Sequence, residues 1–287
     1  MTDDSSTAIA RLRQRGATLG APLCLGIDPR PDALPEGLSA DVTGIETFAR
    51  GLVEAAAEAA VAIKLNVAYF EAFGAAGWAA LERVRAAIPP GPLVVIDAKR
   101  GDIGPSAERY AEAIFGRLAA DATTVQPYLG EDAVEPFLAF GDRLVYVLAR
   151  TSNPSAGRFQ DRLMVAERGV FRGTAPLDQV VARWAADRWP DGRVGLVVGA
   201  TAPDQLRRLR DAAPELGFLV PGVGAQGGSL EAAVRYCHGS VAPGLVNVSR
   251  GIAEAARGAD WQAGAAVAAR RWLDDMRTAG ATLGGTN

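Results

Sequence analysis

The chain of 287 residues has one histidine and two cysteines. A single histidine, His238, excludes a multi-histidine metal site or a multi-histidine proton relay. Any catalysed proton transfer is therefore expected to fall to lysine and carboxylates. Cys24 and Cys237 are too few for a disulfide framework, which points to a reducing compartment and a cytoplasmic location. Cys237 and His238 are adjacent, so on regular structure they point in different directions. A Cys-His dyad is the sharper reading there; a filled niche near a helix end is the plainer one. No apolar stretch reaches the roughly 18 residues that a membrane span needs. The start, MTDDSSTAIARLRQRG, puts acids before bases and has no apolar core, unlike a secretory signal. The net charge is only −3 and no basic stripe appears. A nucleic-acid partner is thus not expected.

What is present is globular: 49% of residues are apolar and both charge signs are mixed through the chain. Eight short β-rich runs recur, at 22–28, 61–66, 92–99, 122–127, 144–150, 193–199, 218–222 and 245–249. Between them lie segments of helical spacing, such as 44–59, 77–88 and 201–213. Strand–helix alternation implies parallel strands with crossover helices. Strands that are apolar throughout imply cover on both faces. Eight such units favour a closed (β/α)₈ TIM barrel, one domain over 1–287. Residues 1 to about 18 precede the first strand and are expected to frame or fray. The stretch 152–176 is long for a connection usually of about 2–6 residues, and reads as an insertion, either a lid or a subunit contact. The tail 278–287 reads as flexible.

The run VVIDAKRGDIG (94–104) ends an apolar strand in charge. Asp28 ends the first strand, Lys64 sits late in the second, and Asp97 and Lys99 end the third. In a barrel these are the ends that form the active face. Asp97 and Lys99, two apart, share one side of the sheet. Facing the axis, they would meet Lys64, which in turn can reach Asp28: an acid-base-acid-base chain. A structural salt-bridge network is the competing reading, but buried ion pairs stabilise poorly. Arg100 is out of phase and is expected to point to solvent or a helix. The triplet Arg100-Gly101-Asp102 spells an adhesion motif, read here as coincidence.

A second cluster, PGVGAQGG (221–228), spaces Gly222, Gly224 and Gly227 as G-x-G-x-x-G. A dinucleotide site would want it after the first strand, with an acid about 20 residues on. Here it follows the seventh, where barrel enzymes often bind phosphate. Glycines let backbone N–H groups approach phosphate oxygens, and Gln226 can donate as well. After the eighth strand come Ser249, Arg250 and Gly251, with Arg250 supplying a guanidinium for the same phosphate.

Taken together, these residues resemble the orotidine 5′-phosphate decarboxylase family. The D-x-K-x-x-D motif, Asp97-Ala98-Lys99-Arg100-Gly101-Asp102, is the most specific part. The DAKRGDIG form, the stretch Ala149-Arg150-Thr151-Ser152-Asn153-Pro154 and the long insertion resemble its bacterial second subfamily. The resemblance implies a cofactor-independent, metal-free carboxy-lyase that turns orotidine 5′-monophosphate into uridine 5′-monophosphate and CO2 in de novo pyrimidine synthesis. It implies a homodimer with sites shared across the interface. It carries Asp28 to ribose binding, Lys64 to the ribose and catalytic network, Asp97 to the place beside the leaving carboxylate, and Lys99 to protonation of C6. Asp102 would reach the partner's site, with Ile103 and Ser106 close behind. Ser106 stands where the family usually has threonine. Ser152, or Thr151 next to it, would read the pyrimidine edge. Gln226 and Arg250 would grip the phosphate, and Ser249 stands where many relatives have glycine. The competing functions are a Mg²⁺-dependent phosphosugar lyase or decarboxylase of the same barrel superfamily, a Schiff-base aldolase, and a non-enzymatic nucleotide-binding barrel. Asn66 stands where the Mg²⁺ enzymes would place an extra acid.

Overall fold

The computed structural model describes residues 7–166, 173–224 and 226–284. Its strands are β1 (Leu23–Ile27), β2 (Ala62–Asn66), β3 (Leu93–Arg100), β4 (Ala122–Val125), β5 (Leu144–Arg150), β6 (Leu163–Ala166), β7 (Gly173–Pro176), β8 (Val194–Val198), β9 (Phe218–Val220) and β10 (Leu245–Val248). The α-helices are α1 (Ala8–Leu19), α2 (Val42–Ala56), α3 (Ala68–Glu71), α4 (Gly74–Ala86), α5 (Gly104–Ala111), α6 (Glu135–Leu138), α7 (Gly157–Gln160), α8 (Leu177–Arg188), α9 (Pro203–Ala212), α10 (Leu230–Cys237), α11 (Arg250–Ala253) and α12 (Trp261–Gly284). Eight strands close a parallel barrel in the order β1-β10-β9-β8-β5-β4-β3-β2. All eight sequence runs fall on these strands.

Alternate residues of each strand face the axis. Cys24, Ala62, Val95, Ala122 and Tyr146 fill the lower interior, and Ala8 and Leu12 of α1 pack against them from below. The opposite faces of the strands, such as Leu25, Ile63, Ile96 and Val145, join the larger core under the helices. Apolar filling below and charge at the strand ends leave the C-terminal mouth as the polar side.

From Thr7 onward the segment before β1 frames the barrel rather than frays. Thr7 caps α1, its hydroxyl accepting from the Ala10 N–H at 3.2 Å. Asp121, at the foot of β4, ties that helix to the barrel. Its carboxylate accepts from Arg11 at 2.7 Å, from Arg143 at 3.4 Å and from the Val94 N–H at 2.8 Å. We expect Asp121→Ala to cost about 2–4 kcal/mol, because a buried N–H loses its acceptor and two guanidiniums lose their partner. Arg11 is 36% exposed and can rehydrate, which keeps the cost below that of a fully buried pair. Urea unfolding should show a lower midpoint with an unchanged slope.

One expectation needs correction. The tail is helical through Gly284 rather than flexible from 278. Ala279 is buried in the core and the Arg277 guanidinium donates to the Leu19 carbonyl at 2.7 Å, so packing overrides the weak helix propensity of the Gly/Thr-rich sequence. Residues 285–287 lie outside the described residues, as do 1–6. The 152–176 insertion has structure of its own: α7, then an antiparallel hairpin in which Leu163 pairs with Pro176 and Ala166 with Gly173. Residues 167–172 of the insertion lie outside the described residues.

Candidate active site

The charged end of β3 is built on a break in the ladder. The β3–β4 register shifts between Ile96 and Arg100. Lys99 sits there with φ +48°, the left-handed region that a residue with a Cβ occupies at a cost of about 1–2 kcal/mol. The Lys99 N–H donates to Thr124 Oγ1 at 2.9 Å, and that hydroxyl donates to Asp97 Oδ1 at 2.8 Å. Buried Thr124 thus holds both the strained backbone and the carboxylate beside it.

The expected chain of charges is present. Asp28 lies 3.6 Å from Lys64 Nζ, Lys64 Nζ donates to Asp97 Oδ2 at 3.0 Å, and Lys99 Nζ donates to Asp97 Oδ1 at 2.6 Å. Lys64 and Asp97 are buried, whereas the Lys99 side chain is 45% exposed toward the mouth. These are the only lysines in the chain; its other cationic side chains, apart from the single histidine, are arginines. Burial opposes the charge on Lys64, but the Asp28 and Asp97 carboxylates outweigh it and raise its pKa. Burial likewise opposes the charge on Asp97, but Lys64, Lys99 and the hydrogen bonds from Lys99 and Thr124 hold its pKa far below the usual range. Both groups are therefore ionised across neutral pH. Beneath them, burial pushes the Cys24 thiol up to about 12, so it stays protonated.

These directions set a pH dependence. Asp97 binds a proton less readily folded than unfolded, so its contribution to stability is full above about pH 4 and is lost as pH falls toward its folded pKa. Lys64 has the opposite sign: its contribution is full below about pH 10 and is lost as pH rises through the raised folded value. Unfolding free energies of wild type and Asp97→Asn, measured from pH 2.5 to 7, should diverge as pH rises to about 4–5 and then run parallel. A constant difference across that range would show that Asp97 does not hold a depressed pKa.

The charges open into a cavity of about 500 Å³ at the barrel mouth. Asp28, Lys64, Asp97, Lys99, Ser152, Gln226, Ser249 and Arg250 all line it. Leu148, Val197 and Leu219 supply an apolar wall. The glycine-rich turn follows β9, and Gly222, Gly224 and Gly227 have φ of +97°, +78° and +77°, which a Cβ would strain. Arg250 opens α11 with Ser249 at its cap. Gly26 also matters to the site: a Cβ there would lie 1.8 Å from Ser249 Oγ and 2.8 Å from Asn247 Oδ1. Its missing side chain makes room for both.

At 151–152 the two hydroxyls differ. Thr151 Oγ1 is occupied, donating to Asn153 Oδ1 at 2.6 Å and accepting from Gln160 Nε2 at 2.8 Å. Both residues line the cavity, and the Ser152 carbonyl accepts from Thr201 Oγ1 at 3.5 Å.

Asp102, Ile103 and Ser106 do not line this cavity. The Asp102 carboxylate accepts from the Ile103 N–H at 2.8 Å, Ile103 is 50% exposed, and Ser106 is exposed on α5. Arg100 points outward as expected, pairing with Glu71 of α3 and lying over the Tyr110 ring. The plainer reading of Cys237 and His238 fits the structure. Cys237 is buried at the end of α10 with its thiol on the Val234 carbonyl, while His238 Nδ1 accepts from the Gly244 N–H at 3.1 Å. Asn66 Oδ1 accepts from the Ala68 N–H at 3.3 Å, and among the described residues no group of three or more His, Cys, Asp or Glu is placed to hold a metal.

Sequence reasoning missed Thr124, Arg30, Tyr69 and Asn247, which also line the cavity. Thr124 and Asn247 are buried polar residues in the inward phase of strands beside the charged ones, and that phase was the available signal. Asn247 Nδ2 donates to Ser249 Oγ at 3.2 Å, orienting that hydroxyl.

An eight-stranded barrel with a lysine–carboxylate chain at its mouth and a glycine–arginine loop beside it defines a (β/α)₈ barrel enzyme. The family model of the orotidine 5′-phosphate decarboxylase / HUMPS family matches residues 21–263, and the chain belongs to that family. It is 49% identical over 259 residues to an orotidine 5′-phosphate decarboxylase of Roseiflexus castenholzii, covering 90% of this chain and 92% of that one. It is 45% identical over 274 residues to the protein of the same name from Thermomicrobium roseum, covering 93% of each. Among solved structures, Leishmania donovani OMP decarboxylase superposes with a TM-score of 0.78 at 38% identity, covering 95% of this chain and 99% of that one.

Proposed function

We propose that this protein decarboxylates orotidine 5′-monophosphate to uridine 5′-monophosphate and CO2, as a step of pyrimidine synthesis, with no metal or organic cofactor. The observation that carries the reading is the Asp28–Lys64–Asp97–Lys99 chain, whose outermost member is an exposed ammonium at the barrel mouth. When the bond from C6 to the carboxylate breaks, its electron pair stays on C6. Lys99 stabilises that charge and then gives C6 a proton from Nζ. An ammonium that bound substrate screens from water is worth more than one in bulk solvent. Asp97 sits beside the departing carboxylate and repels it, a repulsion that ends as neutral CO2 leaves. Lys64, held between Asp28 and Asp97, keeps both carboxylates in place. Asp28 takes the ribose, Ser152 the pyrimidine edge, and Gln226, Arg250 and the Ser249 backbone the phosphate. Ser152 is preferred over Thr151 because the Thr151 hydroxyl is already engaged on both sides.

Two further parts of the reading concern assembly and place. Asp102, Ile103 and Ser106 serve the site of a second copy in a homodimer. They lie outside their own cavity, and Ile103 borders an open groove of about 990 Å³ between α5 and α6, with Phe140 also exposed. The enzyme works in the cytoplasm, in keeping with two buried free cysteines, and no helix of the described residues is long and apolar enough to cross a membrane.

The direct test follows the loss of orotidine absorbance in chelator-treated buffer with purified protein. Turnover of the nucleotide supports the reading. Binding without turnover would make the protein a nucleotide-binding barrel, and turnover that returns only with Mg²⁺ would favour the phosphosugar enzymes. Arg250→Ala should weaken binding of the 5′-phosphate substrate by roughly 2–4 kcal/mol while changing the phosphate-free nucleoside little. Equal losses for both ligands would remove Arg250 from the phosphate site.

A further inference from the structure

Arg150 ends β5 and is buried, yet it does not line the cavity that the next two residues line. Its guanidinium is turned into the insertion instead. It pairs with Asp161 through both terminal nitrogens, Nη2 reaching Oδ2 at 3.3 Å, and Nη1 lies 3.5 Å from Asp178 Oδ2. Asp161 comes two residues before β6 and Asp178 two residues after β7, so one arginine holds both feet of the hairpin. The neighbouring residue is clamped in the same way. Gln160 Oε1 accepts from the Thr151 N–H at 3.0 Å, and Gln160 Nε2 donates to Thr151 Oγ1 at 2.8 Å. Two consecutive residues of the insertion, Gln160 and Asp161, thus grip two consecutive residues of the strand end, Arg150 and Thr151.

The next residue is Ser152. On its other side Gly199 leaves no slack, since a Cβ there would lie 3.0 Å from Ser152 Cα, Cβ and N. Ser152 is therefore set between the β8 backbone and the clamp. A planar guanidinium held by two parallel bonds fixes orientation as well as distance, which a lysine ammonium would not.

We propose that Arg150, Gln160 and Asp161 are positioning residues. They set the Ser152 hydroxyl at the height where it reads the substrate's ring, and so make the insertion part of substrate recognition. This rests on the reading of Ser152 as a substrate contact. The proposal specifies coupling, so the test is a double-mutant cycle on the full-length protein with orotidine 5′-monophosphate. Gln160→Leu keeps the size of the side chain and removes both hydrogen bonds to Thr151. It should raise KM about tenfold, with a smaller change in kcat. In a Ser152→Ala background the same substitution should change KM by no more than about twofold, because the group it positions is gone. Asp161→Asn, which loses the charge but keeps the shape, should follow the same pattern and serves if Gln160→Leu does not fold. Thermal midpoints recorded for every variant separate lost fold from lost positioning.

Equal KM effects in the two backgrounds, or an unchanged KM in folded Gln160→Leu and Asp161→Asn, would overturn the proposal. If Ser152→Ala alone leaves KM and kcat unchanged, Ser152 is no substrate contact and the proposal falls with that reading. That result is visible in the single variant, before any coupling is measured.

Discussion

Lys99→Ala is expected to lower kcat by at least about 10³-fold while leaving nucleotide affinity measurable. The size follows from two losses at one atom. In the proposed mechanism the ammonium that stabilises charge on C6 disappears, and so does the proton that C6 receives. Lys99 is partly exposed and contacts Asp97, so the variant should fold. Alanine also has a Cβ, so the left-handed backbone at φ +48° is no more strained than before. Asp97 keeps Lys64 and Thr124 as partners and is not left bare. Lys99→Arg is the sharper companion. It keeps a positive charge, but a guanidinium with a pKa above about 12 is a poor proton donor. It should therefore fail at turnover while still binding nucleotide. Absorbance assays give kcat, and calorimetry with uridine 5′-monophosphate gives affinity. Near-normal turnover in purified Lys99→Ala would remove the lysine from the chemistry.

The same residue shows where sequence reasoning succeeds and where it is right for an incomplete reason. Two-residue spacing put Asp97 and Lys99 on one side of a regular strand, and they do meet. They meet through a register shift and a left-handed residue held by Thr124, neither of which alternation contains. The eight barrel strands were legible because strands covered on both faces read as apolar runs. Thr124 was not, because a threonine in a strand reads first as a β-former. Composition held a stronger signal than spacing did. A chain that uses arginine for every surface cation keeps lysine at 64 and 99 alone. Lysine is the cation whose proton can be moved.

The hairpin of the insertion was illegible for a different reason. Leu163, Met164 and Val165 of β6 are all substantially exposed, so no buried face imposes a hydrophobic period on that strand. What fixes it is the polar grip of Arg150 on Asp161 and of Gln160 on Thr151 at its base. Pairings between specific side chains that are distant in sequence leave no local pattern. The tail failed in the opposite direction: its glycines and threonines read as loop, and one buried face containing Ala279 was enough to make it helix.

Mixing two nearly inactive variants, Lys99→Ala and Asp102→Ala, is expected to restore up to about a quarter of wild-type activity once subunits exchange. Asp102 follows Lys99 by three residues, yet the chain turns after β3 and leaves Asp102 outside the cavity that Lys99 lines. An acid three residues from the proposed proton donor is then either idle or at work in another copy. If it completes the partner's site, each site in a dimer takes Lys99 from one protomer and Asp102 from the other. A Lys99→Ala protomer still lends a sound Asp102, and an Asp102→Ala protomer still has a sound Lys99. A mixed dimer therefore contains one site with both defects and one with neither. Random exchange makes about half the dimers mixed, each with one sound site of two, which gives the quarter. The control is a mixture in which both protomers carry Lys99→Ala, where no arrangement makes a sound site. Exchange must be verified by mass, because unmixed dimers would stay inactive under either geometry. Confirmed exchange without recovery would return Asp102 to its own barrel and remove the shared site.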